Sequence, residues 1–215
     1  MKYRLTVHWV IVDLNDGHLD DGSQHSDAIE ALLRGPCGVA SRAGHVTLFR
    51  RRDPGSDTFD GWHASIAKNS AAAAASYVSQ DGPCILVNLD NDNFVTDEFV
   101  RKVVEHGKEL LGMDPSKKLN GLFFRHPNVG STTGRIACSL EDFYRVGGYL
   151  EDMGPSGYQD VFLMKCLSLL GRTQRVWSPS VGVAVTNSPE AQSKKQFWKV
   201  GSKLCITYQC CYSSW

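Results

Sequence analysis

Ile85-Leu86-Val87-Asn88-Leu89-Asp90-Asn91-Asp92-Asn93 is the stretch on which the reading of this chain turns: an apolar strand that runs straight into two carboxylates spaced two residues apart. Hard divalent cations prefer carboxylate, phosphate and water oxygens to nitrogen or sulfur, so Asp90 and Asp92 read as ligands for Mg2+ or Mn2+ carrying a substrate diphosphate. Asp and Asn clusters also form plain turns by bonding their own backbone. The position directly after a buried strand and before a capped helix favours the cation site.

Outward from this strand the chain alternates. Leu5 to Asp13 reads as a buried strand that surfaces at Asp13, then a polar stretch, a short helix over 27–33 capped by Ser26, and a second strand over 46–50. Apolar or small residues at 62, 66, 67, 71, 74, 77 and 78 form a helical stripe that includes the run Ala71 to Ala75. Thr96 caps a helix with Asp97 and Glu98 in its first turn, where negative charge complements the dipole, and with Phe99, Val103 and Leu110 as apolar positions. Strands follow over 119–124 and 135–138. Ser139-Leu140-Glu141-Asp142 resembles a capping box for a helix that stops at Gly147-Gly148, and residues 158–170 form another helix. Strands that are apolar throughout, alternating with helices, predict an α/β domain with a mostly parallel, Rossmann-like sheet covered on both faces. Ligands of such sheets sit beyond the carboxyl ends of the strands, so Asp13 and Asp90 are expected on one edge.

Composition excludes some functions and leaves others. Lys plus Arg (23) balances Asp plus Glu (23), which provides no field for a polyanion and argues against a nucleic-acid partner. The cluster Arg50-Arg51-Arg52 reads as a solvated strand end. Seven cysteines without a C-x-x-C pair argue against structural zinc, and an odd number leaves at least one thiol unpaired; buried, reduced thiols are expected. The apolar run after Met1 is too short and polar for a membrane span or signal core. The chain as it stands reads as cytoplasmic, or as a Golgi or secretory-lumen protein if an anchor precedes it. Among the histidines, His8 reads as structural, His45 and His106 as solvated, and His63 and His126 as nearer the motifs below.

Four motifs occur in order: Trp62-His63-Ala64-Ser65-Ile66-Ala67-Lys68-Asn69, Ile85 to Asn93, Gly134-Arg135-Ile136-Ala137-Cys138-Ser139, and Gly147-Gly148-Tyr149 through Gly157-Tyr158-Gln159-Asp160. Their order resembles that of glycosyltransferases of the GT-A fold, most closely the family-two-like enzymes and the galactosyltransferase C-terminal module. The resemblance implies a metal-dependent hexosyltransferase, with a GT-A domain over 1–187 and a C-terminal helix and tail over 188–215 packed on it. It implies a nucleotide-sugar donor and a hydroxyl acceptor on a glycan, protein or lipid. Asp90 and Asp92 become the D-x-D metal pair, with Asp90 nearer the ribose, and Asp13, Lys68, Asn69, Arg135 and Gly157 line the substrate site. Asp160 becomes the general base of an inverting reaction.

This chain departs from the family pattern in three places: it opens at what resembles the second family strand, Gln159 precedes Asp160 where many members have Glu, and no His follows Trp177. Two other readings stay open: an impaired or fragmentary nucleotide-sugar binder, and a haloacid-dehalogenase-type phosphatase with Asp90 as nucleophile. The tail adds a helix over 189–200 capped by Ser188 and an apolar end, residues 205–212, read as an edge strand or a segment packed on the domain.

Overall fold

The computed structural model describes residues 4–13, 31, 46–50, 64–79, 82–89, 93–95, 97–113, 115–117, 119–124, 135–153, 158–170, 173–177, 182–184 and 205–213. In chain order these form β1 (Arg4–Asp13), β2 (Val46–Arg50), α1 (Ala64–Ser79), β3 (Cys84–Leu89), β4 (Asn93–Val95), α2 (Asp97–Glu105) and α3 (Gly107–Leu110). A 3-10 turn (Pro115–Lys117) leads to β5 (Leu119–Phe124), β6 (Ile136–Ser139), α4 (Leu140–Arg145), α5 (Gln159–Leu169), β7 (Thr173–Trp177), β8 (Gly182–Ala184) and β9 (Cys205–Ser213). Of the helix expected over 27–33, only Ala31 is described, and it is helical. The helix expected over 189–200 lies outside the described residues.

Seven strands form one sheet in the order β2-β1-β9-β3-β6-β5-β7, and β4 pairs with β8 in a second, two-stranded sheet. The mostly parallel, Rossmann-like GT-A sheet expected from the sequence is corrected here. Only the outer pairings β2–β1 and β5–β7 are parallel, whereas β1–β9, β9–β3, β3–β6 and β6–β5 are all antiparallel. Where side chains are described, the structure is mostly helical, packed on the antiparallel pair β3–β6. The physical reason is that continuous apolarity reports burial on both faces and carries no information about direction. All six residues of β3 are indeed buried, but its neighbours on both sides run against it.

The tail also departs from expectation. β9 is an interior strand, hydrogen-bonded to β1 on one side and β3 on the other. Ile206 is the partner of both Ile11 and Leu89, so β1 and β3 point the same way about 10 Å apart across two strand spacings, and β1 continues two residues, to Asp13, past the level at which β3 ends. β6 runs the other way and begins beside the end of β3, with Ile136 opposite Asn88. One edge of the sheet therefore gathers Asp13, Leu89 and Arg135.

A single apolar cluster fills one face: Val10, Cys84, Leu86, Ile136 and Cys138 from the sheet meet Ala67, Ala71, Ala72, Ala74 and Ala75 of α1, Leu140 and Phe143 of α4, and Leu163 and Leu167 of α5. The alanine face of α1 lets this helix lie close over β9, β1 and β3, because a methyl group holds the backbone off the strands less than a longer side chain would. Tyr77, assigned to the apolar stripe by spacing, is instead 81% exposed. Phe99 and Val103 anchor α2, while Leu110, expected on that helix, is buried from α3. His106, expected in solvent, is buried between them and bonds Glu109 at 3.0 Å through Nδ1.

Candidate functional site

Because α1 runs back to the start of β3, its first turns lie toward the edge where β3 ends. Lys68 and Asn69 project from those turns and meet two separate parts of the chain.

Lys68 Nζ donates to Asp160 Oδ1 at 2.8 Å, with side-chain exposures of 6% and 19%. The same ammonium stands 5.1 Å from the ring centroid of the buried Tyr149, in cation–π range. Asp160 is the second residue of α5, where a carboxylate also complements the helix dipole. The helix starts abruptly: Tyr158, its N-cap, takes φ 59° with its side chain exposed, a left-handed backbone that bulky residues rarely adopt. Gln159 is buried beside it.

Asn69 bonds the backbone of Tyr149 in both senses. Its Nδ2 donates to the Tyr149 carbonyl at 2.8 Å, and its Oδ1 accepts from the Tyr149 amide at 2.9 Å. Nδ2 donates also to Glu151 Oε1 at 2.8 Å. Its amide thus acts as a clasp that pins residues 149–151 onto α1. Both amide hydrogens of Asn69 are thereby committed to the loop.

The loop is prepared for the clasp by the end of α4. Ser139, the N-cap, accepts from the Asp142 amide at 3.0 Å, as the capping pattern predicted. At the other end Gly148 N donates to Phe143 O (2.9 Å) and Gly147 N to Tyr144 O (3.0 Å), a Schellman closure. Gly147 and Gly148 take φ +83° and +69°, and a Cβ on Gly148 would stand 2.7 Å from Asn69 Oδ1 and 3.1 Å from the Phe143 ring. Only glycine lets the turn close this tightly against the clasp.

Of the residues singled out from sequence, Lys68, Asn69 and Asp160 are brought together, and Arg135 is buried at the start of β6 on the same sheet edge. Asp13 closes β1 on that edge. Asp90, Asp92 and Gly157 lie outside the described residues. Among the described residues no group of three or more His, Cys, Asp or Glu gathers as a metal ion would require. With the sheet topology, that corrects the expectation of a GT-A, D-x-D metal-binding transferase. Tyr149 and Glu151 fall inside the glycine-rich motif read from sequence but were given no role there. Their only sequence signal is their place after a paired glycine, and their partners lie eighty residues away.

Among the described residues no helix is long and apolar enough to cross a membrane. No family model, curated protein or solved structure matches the chain.

Proposed function

We propose that this chain binds a nucleotide diphosphate sugar at the sheet edge where β1 and β3 end, and moves the sugar to a hydroxyl acceptor. Asp160 takes the acceptor's proton as its oxygen bonds the anomeric carbon, and the diphosphate departs with the electron pair of the broken C–O bond. Arg135 and Lys68 supply positive charge on that edge for the developing phosphate charge. No metal is assigned a step. The observation that carries the reading is the 2.8 Å contact of Lys68 with Asp160, which joins two of the four ordered motifs across 92 residues and leaves Asp160 partly open to solvent. The resemblance of motif order supports the substrate class.

One observation favours a second reading, binding of the sugar nucleotide without turnover: Asp160 is already engaged by an ammonium, and a base must release that partner to accept a proton. Asp160→Asn separates the two, because an amide oxygen still accepts from Lys68 while the base is lost. A thermal-shift screen of nucleotide sugars with a panel of hydroxyl acceptors identifies the donor, and release of nucleoside diphosphate measures turnover. Transfer predicts a loss of about 10²-fold or more in Asp160→Asn with donor binding kept. Binding without release by the native chain selects the second reading, and failure of every nucleotide sugar to raise the melting temperature rejects both.

A further inference from the structure

We infer that Lys68 is a switch: its ammonium rests on Asp160 until the donor's diphosphate binds, then moves to the diphosphate and leaves Asp160 free to act as base. The inference rests on the reading of this edge as a nucleotide-sugar site. Lys68 Nζ and Asp160 Oδ1 stand 2.8 Å apart, and the two side chains are 6% and 19% exposed. A carboxylate that holds an ammonium in this way is neutralised and has little pull on the proton of an alcohol. Paired, the base and the cation cancel each other. One exchange of partner releases both.

The surroundings suit Lys68 to that exchange. An ammonium is a compact charge on a flexible four-carbon stem with three rotatable donors, so it changes acceptor by turning within its own side chain. The ring centroid of the buried Tyr149 lies 5.1 Å from it, and the ring's face attracts the cation without neutralising it. Asn69 fixes the backbone of Tyr149 to α1, so this support stays with Lys68 when it parts from Asp160. Asp160 is the second residue of α5, where the helix dipole favours the ionised carboxylate after the ammonium has gone. A diphosphate carries more negative charge than one carboxylate, and on the same edge it outcompetes Asp160 for the ammonium.

The exchange couples the two halves of the transfer. The Oδ1 that Lys68 releases takes the acceptor's hydroxyl proton as the acceptor oxygen bonds the anomeric carbon, and the electron pair of the broken C–O bond leaves with the diphosphate, which the ammonium then faces. An acceptor that arrives without a donor keeps its proton, because Asp160 is still paired. Lys68 thereby makes the base conditional on the donor.

The test is calorimetric titration with inorganic pyrophosphate, which needs neither a sugar nor turnover, on the native chain, Asp160→Asn, Lys68→Met and the double variant. If Asp160 competes with the diphosphate for Lys68, weakening its hold tightens binding, and an amide oxygen holds an ammonium about half as strongly as a carboxylate does. Asp160→Asn is therefore expected to bind pyrophosphate about tenfold more tightly than the native chain, and Lys68→Met about tenfold more weakly, the size of one hydrogen bond to a charged group. Plain repulsion by Asp160 would also be relieved by Asp160→Asn, so the double variant decides between the two causes. In the Lys68→Met background the gain from Asp160→Asn is expected to vanish, because no ammonium is left to release. Equal binding by the native chain and Asp160→Asn overturns the inference, as does a gain that persists without Lys68; either result leaves the donor site itself standing. Binding of pyrophosphate by none of the four proteins rejects the donor site and the switch with it. Methionine keeps the length of the lysine stem. If Lys68→Met does not fold, Lys68→Gln takes its place, and the comparison of the native chain with Asp160→Asn can still overturn the switch.

Discussion

Asn69→Ala tests how the loop at the candidate site is held. The substitution removes two hydrogen bonds to the backbone of Tyr149 and one to Glu151. The Glu151 contact is exposed and contributes little. The Tyr149 bonds satisfy a backbone amide and carbonyl of a residue that is only 1% exposed, and leaving a buried polar group unsatisfied costs about 1–3 kcal/mol. Alanine in place of asparagine inside α1 returns about 0.5 kcal/mol of helix propensity. The net expectation for the two groups is a loss of about 1.5–5.5 kcal/mol, which at about 2–4 °C per kcal/mol in a chain of this size lowers the melting temperature by at least about 3 °C. Urea titration followed by circular dichroism measures it, with an unchanged slope if the native fold persists. Asn69→Asp keeps the acceptor for the Tyr149 amide but turns an oxygen toward the Tyr149 carbonyl and Glu151, so it should cost at least as much as alanine. The clasp would be refuted by an Asn69→Ala loss below about 0.5 kcal/mol, or by Asn69→Asp proving milder.

The same geometry separates two adjacent glycines. Gly147→Ala meets open space and suffers backbone strain alone, about 1 kcal/mol, whereas Gly148→Ala adds contacts at 2.7 and 3.1 Å and should cost clearly more, a difference that shrinks in an Asn69→Ala background; thermal melts of the set suffice. Ser139→Ala deletes the acceptor for the Asp142 amide and should cost about 1 kcal/mol, readable as a lower urea midpoint. Burial, aided by the Asp142 carboxylate, pushes the Cys138 thiol well above its ordinary value of 9.0. The unfolded chain therefore releases this proton first as pH rises past 9, and the stability that is full below that pH falls by about 1.4 kcal/mol per unit above it. Urea midpoints measured from pH 8 to 10.5 should show that slope in the native chain and a shallower one in Cys138→Ala.

Much of the local structure was legible because it is written in neighbouring residues. Ser139 three positions before Asp142 is a cap wherever it occurs, and the helix it opens ends at Gly147 and Gly148 because both need positive φ. Phe99 and Val103 share a face at helical spacing, and both are buried. The failures share a different cause. Tyr77 fits the apolar period of α1 but lies on its exposed side. His106 is polar by type yet sits where α2 and α3 meet, with Glu109 in reach.

Sequence by itself determined most of the longer strands and helices, among them β1, β2, β3, β5, β6, α1 and α5, and where α4 begins and stops, but not the short strands β4, β7 and β8 or the break between α2 and α3. The legible elements rest on periodicity and caps, which act over a few residues. Strand direction and neighbourhood were settled only by tertiary structure, since an apolar strand is equally content beside a parallel or an antiparallel partner. That choice placed β9 between β1 and β3 and turned the expected parallel sheet into a mixed one. Packing likewise made Asn69 the clasp of the 149–151 loop, because only the folded chain carries the Tyr149 backbone to within 3 Å of its amide.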